Sequence, residues 1–172
     1  MFNDNVRDLI RSGSLKFRSG DYEQAFKLFQ EAARSDPNSA EAHAWLAAVH
    51  GRRIEGAISM TEKIKLLSLL EDELAVALRL DSTLPLARRM NGAMLLYTPE
   101  MLGGNPAAAA DEFRYCIDRG MDDADVWVSL AECYAKTGFP EQAIKAVEAA
   151  LERDPGHERA TALLHRARGG SA

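Results

Sequence analysis

Residues 20–37 read GDYEQAFKLFQEAARSDP, and residues 138–155 read GFPEQAIKAVEAALERDP. Gly20, Ala25, Phe29 and Asp36-Pro37 of the first stretch return 118 positions later as Gly138, Ala143, Val147 and Asp154-Pro155. A glycine, a small residue, a large apolar residue and an Asp-Pro at shared offsets are the mark of an internal repeat, and such a repeat decides the fold before any single site is considered.

Working outward, the apolar residues fall at helical spacing on both sides of each echo. Val6, Leu9, Ile10 and Phe17 predict a helix that Gly20 ends, with Gly13 where a second helix can approach closely. Asp21 is the expected N-cap of a second helix carrying Tyr22, Ala25, Phe26, Leu28, Phe29, Ala32 and Ala33, which stops before Asp36-Pro37. Two helices joined by so short a turn pack antiparallel. Near the other end, Trp127, Leu130, Ala131 and Tyr134 place bulk on one helix opposite the small Ala143 and Ala150 of the next.

Those four residues follow the W-x2-L-G-x2-Y pattern, with alanine for glycine, and Ala143 and Pro155 follow in their places. The chain resembles the tetratricopeptide repeat family over about 160 residues, strongly at both ends and more weakly from Gly51 to Asn105. The resemblance implies an all-α fold: a right-handed superhelical array of about four antiparallel helix pairs plus a C-terminal capping helix. It predicts a single domain over 4–168 with repeats at about 6–39, 40–84, 85–123 and 124–157, a cap helix at 157–168, and a disordered tail at 169–172.

Equivalent starts at Val6, Ala40, Pro85 and Ala124 give steps of 34, 45 and 39 residues, so the second and third repeats are lengthened. The stretch 53–64 has no proline, and Ile54, Ala57, Ile58, Ile64, Leu67 and Leu74 predict added helix rather than loop. Its apolar face either packs internally or forms a contact with a partner or a second copy. In Tyr97-Thr98-Pro99-Glu100-Met101-Leu102-Gly103-Gly104-Asn105-Pro106 the glycines predict a positive-φ turn, Asn105 a cap and Pro106 a first helical turn, with Met101 and Leu102 tucked beneath the loop. The glycine pair lacks the Lys-Ser/Thr of a phosphate loop.

Composition narrows the function. The 172 residues are 47% hydrophobic and 27% charged, enough for a sizeable core, with a formal net charge of −5 and no Lys/Arg run longer than two. Nucleic acid is therefore not an expected partner. No apolar window is long enough for membrane insertion, and the chain reads as cytoplasmic, a reading that a precursor with its signal peptide removed would share. Cys116 and Cys133 lie in neither a CxxC nor a Cys/His cluster and read as small core residues. His43 and His50, seven apart, have no third ligand, while His157 and His165 read as surface residues. The acidic pairs Asp111-Glu112 and Asp122-Asp123 fit helix starts. No GxSxG, HExxH or dinucleotide fingerprint occurs. The expectation is no enzyme, no metal and no cofactor.

The resemblance implies instead a scaffold that holds a peptide or partner protein in a concave wall built from the first helix of each pair. Its groove-facing places fall on Arg7, Ile10, Ser14, Phe17 and Arg18; on Glu41, Ala44, Ala48 and Arg52; on Arg89, Ala93, Leu96 and Tyr97; and on Asp125, Val128, Glu132, Ala135 and Lys136. The carboxylate clamp that grips chaperone C-termini is not expected, because its places hold Ile10, Ser14 and Trp45. Phe17, Leu96 and Tyr97 either form an apolar anchor pocket or pack against the next helix. The alternatives are a small-ligand carrier, with a pocket between the extended helices and the Gly103-Gly104 loop, and a self-assembling scaffold that dimerises through 53–64.

Overall fold

The computed structural model describes residues 2–169, and side chains from 4 to 167. Of the tail expected at 169–172, Gly169 closes the last helix and residues 170–172 lie outside the described residues. Among the described residues the fold is all-α. The helices are α1 (Phe2–Arg18), α2 (Tyr22–Ser35), α3 (Ala40–Gly56), α4 (Met60–Leu80), α5 (Pro85–Tyr97), α6 (Pro106–Asp118), α7 (Ala124–Lys136), α8 (Pro140–Arg153) and α9 (Glu158–Gly169), with one 3-10 turn at Glu100–Leu102.

The echoing residues are the punctuation of these helices. Gly20 and Gly138 both sit at φ 81°, and the amide that follows each reaches back to the last turn: Asp21 N–H donates to Lys16 O and Phe139 N–H to Tyr134 O, both at 2.9 Å. A left-handed residue closing the helix this way favours glycine. Asp36 and Asp154 end α2 and α8 in extended conformation, and their carboxylates accept the N–H two residues on, from Asn38 at 3.0 Å and Gly156 at 3.1 Å. Asp81 does the same with Thr83 at 2.8 Å, although serine rather than proline follows it. The aspartate makes the turn, and the proline is dispensable. Asp21, Ser39, Ser59, Asn105 and Asp123 cap the helices they precede.

The chain divides into two compact units, Met1–Met90 and Asn91–Ala172, with α5 contributing to both. In the first, Val6, Ile10, Ala25, Phe29, Ala32, Ala42, Leu46 and Val49 form a core. Phe29 stacks on Trp45 at 5.1 Å, and Phe17 meets Trp45 and Tyr22 edge-on at 5.3 and 5.2 Å. Gly13 makes room for this, since a Cβ there would lie 2.5 Å from the Phe29 ring. In the second unit the core is Leu96, Ala109, Phe113, Val126, Val128, Leu130, Ala131, Ala146, Val147, Ala150 and Ala160 with both cysteines. The positions 118 beyond Phe17, Phe29 and Trp45 hold Ala135, Val147 and Leu163. Bulk moves to Trp127 and Tyr134 on α7, so the two ends share one backbone plan with opposite distributions of volume.

The lengthened second repeat is helical, as expected. α3 has 17 residues and α4 has 21, against 13 and 14 in α7 and α8. The break at 57–59 divides the insertion between the two helices. Its apolar residues are only partly covered: Ile58, Met60 and Ile64 are 98%, 70% and 62% exposed. In the third repeat Gly103 is left-handed at φ 100°, and Asn105 accepts from Ala108 N–H at 3.0 Å ahead of Pro106. Met101 and Leu102 do not tuck under this loop. They are 89% and 71% exposed, and the turn closes on its own backbone instead, with Gly104 N–H donating to Pro99 O at 3.0 Å and Gly104 packed against Thr98.

The α3–α4 pair also holds both early histidines. His43 lies 2.6 Å from Glu73 through Nδ1 and 3.1 Å from the Pro37 carbonyl through Nε2. Among the described residues no group of three or more metal-ligating side chains comes together. His50 is buried against Phe26, with Nδ1 unpartnered, and burial, then the nearby Arg53 charge, lowers its pKa below 6.5. A proton taken up in the unfolded chain but resisted in the folded one makes stability rise with pH. His50 therefore contributes its full share above pH 6.5 and loses it as pH falls from there towards the lowered folded value. Urea unfolding followed by Trp45 fluorescence in a Trp127→Phe background should show lower stability at pH 5.5 than at pH 7, with a smaller difference in His50→Phe.

Candidate partner-binding face

The groove positions expected from the sequence divide by burial. Ile10, Ala44, Ala48, Leu96 and Val128 are at most 6% exposed and belong to the packed interior. Phe17 is half-buried between Tyr22 and Trp45. Packing therefore takes up two of the three residues considered for an anchor pocket. Ser14, Arg89 and Ala93 are half-buried, whereas Arg7, Arg18, Glu41, Arg52, Tyr97, Ala135 and Lys136 are exposed. Arg52 pairs with Glu55 on its own helix at 3.1 Å.

In the second unit the structure joins several of these positions through hydrogen bonds. Tyr97, at the end of α5, donates its hydroxyl to Glu132 of α7 at 2.7 Å. Arg159 of α9 donates to the Tyr97 oxygen at 2.7 Å and to the other Glu132 oxygen at 2.9 Å, and lies 3.9 Å from Asp125. Lys136 donates to the Leu96 carbonyl at 3.1 Å, closing the end of α5 onto α7. Burial of the hydroxyl, then its bond to Glu132 and that carboxylate's charge, push the Tyr97 pKa up to about 12. For Arg159 burial works against the charge, and the bonds to Glu132 and Tyr97 more than offset it, so its pKa rises. The cluster is charged and internally satisfied, and it fixes three helices of one face. Tyr97 as a residue nevertheless remains 55% exposed. Met101 and Leu102 follow it along the chain, and Phe139, 51% exposed, sits in the turn after α7.

Tyr97, Glu132, Asp125 and Lys136 are among the groove-facing places expected from the sequence, whereas Arg159 is not, and His157 was expected at the surface. Arg159 lies on α9 and His157 directly before it, in a stretch expected only to cap the array. His157 is largely enclosed: its Nδ1 accepts the Ala160 N–H at 3.3 Å, which leaves Nε2–H to donate to Asp125 at 3.1 Å. The signal was available, since His157 occupies the residue before the helix, where a cap belongs. His165 is exposed as expected. Cys116 and Cys133 are fully buried, and burial pushes the Cys133 thiol up to about 12. The other side of α7 borders a shallow cleft of about 470 Å³ lined by Ile117, Trp127, Leu130, Tyr134, Lys145 and Ala149, among others.

Two family models match the chain, one described as TPR repeat over residues 13–52 and one as tetratricopeptide repeat over residues 101–167. Together they cover more than half of it, and the helix pairs they span have the expected capping and packing. The chain belongs to the tetratricopeptide repeat family. The matches stop at Arg52 and resume at Met101, so the stretch they leave out contains the 53–64 insertion. A comparison with curated proteins finds no sequence match. Among solved structures, PilF of Pseudomonas aeruginosa is similar at TM-score 0.71 and 20% identity, over 99% of this chain and 70% of that one. PilW, described as a widely conserved type IV pilus biogenesis factor, is similar at 0.72 and 17%, over 96% and 70%. MamA of Desulfovibrio magneticus RS-1 is similar at 0.64 and 17%, over 99% and 88%. At these identities the likeness is one of tetratricopeptide fold.

Proposed function

We propose that this tetratricopeptide repeat protein is a non-catalytic interaction scaffold and that the α5–α7–α9 face of its second unit receives a peptide or partner protein. The observation that carries this reading is the Tyr97 cluster. Its charged groups are spent on one another, which holds the hydroxyl and leaves Tyr97 immobilised yet half-exposed, with the exposed Met101 and Leu102 following it along the chain. A rigid aromatic surface supplies contact area at low entropic cost, which is how binding hot spots work. The cytoplasmic location expected from the sequence is part of the proposal; among the described residues no helix is long and apolar enough to cross a membrane. Affinity capture with wild type and with Tyr97→Ala plus Met101→Ala tests the face. Loss of a specific captured partner in the variant, with helicity unchanged, is the expected result, and identical recovery would remove the face from consideration.

A second reading has its own observation. Ile58, Met60 and Ile64 are exposed within the insertion outside the family matches, which favours self-association through 53–64. Light scattering over a concentration series should then show a dimer that Ile58→Glu plus Ile64→Glu converts to monomer.

A further inference from the structure

The lengthened α3–α4 pair ends in an apolar tip. Against α7 and α8, α3 carries four more residues and α4 seven more, about 6 and 10 Å of added helix. The additions lie at the turn joining the two helices, because Ser39 and Asp81 at the other end take the capping places that Asp123 and Asp154 take in the α7–α8 pair. Ile58, in the break at 57–59, is 98% exposed, and Met60 and Ile64, one turn apart on one face of α4, are exposed after it. Leu66 and Leu70 of the same helix are buried and anchor it. Lys63 and Lys65 flank Ile64, and among the described residues neither pairs with a carboxylate. Residues 52–65 hold four basic and two acidic side chains, a local excess of positive charge in a chain of net charge −5.

We infer that this tip attaches the protein peripherally to an anionic lipid surface, with Ile58, Met60 and Ile64 at the acyl boundary and Lys63 and Lys65 among the phosphates. This goes beyond the scaffold reading and does not depend on the Tyr97 face. Amphipathic elements that lie on a bilayer bury their apolar side chains about 5–10 Å deep, which is the length that the insertion adds to the hairpin. Lysine stems run along apolar surface while the ammonium stays at the headgroups, so Lys63 and Lys65 are compatible with a submerged Ile64. The acidic remainder of the chain is repelled by the same surface, but that repulsion is screened over about 8 Å at physiological salt. It therefore orients the protein tip first instead of preventing contact. A second copy would compete for the same side chains. Three of them remove roughly 300 Å² from water, against about 800 Å² that each partner gives to a stable interface. A dimer thus needs further contacts from the helix flanks, whereas a bilayer has no shape to match.

Vesicle co-sedimentation with the full chain tests this, using phosphatidylcholine mixed about 3:1 with phosphatidylglycerol, and phosphatidylcholine alone. Wild type should bind the anionic vesicles, and the neutral ones about tenfold more weakly. Ile58→Glu plus Ile64→Glu should weaken binding to the anionic vesicles about tenfold or more. Lys63→Gln plus Lys65→Gln should weaken it about tenfold and leave binding to neutral vesicles unchanged. Circular dichroism confirms that both variants fold. No sedimentation of wild type, equal sedimentation with both vesicle types, or wild-type behaviour in either variant overturns the inference. If wild type fails to sediment while light scattering shows a dimer that Ile58→Glu plus Ile64→Glu abolishes, the tip belongs to a second copy instead. Capture of a Tyr97-dependent partner is unaffected by either result.

Discussion

Replacing Phe29 with alanine is expected to destabilise the first unit by about 3–5 kcal/mol, towards the upper end of that range. The ring is fully buried, stacks on Trp45, and fills space that Gly13 leaves open on the facing helix. Glycine has no side chain with which to collapse into the hole, so the cavity persists. The equivalent change in the second unit, Val147→Ala, removes two carbons and should cost only about 2 kcal/mol. Urea unfolding followed by Trp45 and Trp127 fluorescence in single-tryptophan backgrounds separates the two units. Similar losses at both positions would mean that the aromatic stack is not what holds the first helix pair to α3.

Gly104→Ala should cost about 2–4 kcal/mol, and more than Gly103→Ala. A Cβ on Gly104 would fall 1.8 Å from the Thr98 carbonyl oxygen, a backbone atom that cannot rotate away. Relief requires opening the loop, which disturbs the Asn105 N–H bond to Leu95 O at 2.8 Å and the Asn105 cap of α6. Gly103 is left-handed at φ 100° but faces open space, so alanine there meets only backbone strain of roughly 1–2 kcal/mol. Thermal unfolding of the two single variants ranks them, and a larger loss at Gly103 would contradict the loop geometry.

Most of the fold was legible in the sequence because it resides in punctuation. Gly20, Gly138, Asp36 and Asp154 act through their own backbone and nearest neighbours, so their roles survive without knowledge of the packing. Even the departure at Asp81-Ser82 obeys the rule once the aspartate is recognised as the turn-maker. The proposed binding face was only partly legible. Carrying groove positions over by offset cannot distinguish Leu96, fully buried, from its neighbour Tyr97, 55% exposed, because burial depends on how the next helix is filled. Arg159 was invisible for a different reason: its partners Tyr97 and Glu132 lie 62 and 27 residues away, and no local pattern records such pairs. The Gly103-Gly104 pair shows the same limit. Sequence treats its members alike, whereas one answers a left-handed φ and the other a close backbone approach.

The central claim is that partners are received on the α5–α7–α9 face around Tyr97. Site-specific photocrosslinking tests it most directly, with a photoreactive phenylalanine analogue at Tyr97 and, as the comparison, at Lys145 beside the cleft on the other side of α7. A discrete crosslinked partner is expected from position 97 and none from position 145. Equal crosslinking from both positions, or a discrete partner from position 145 alone, would contradict it.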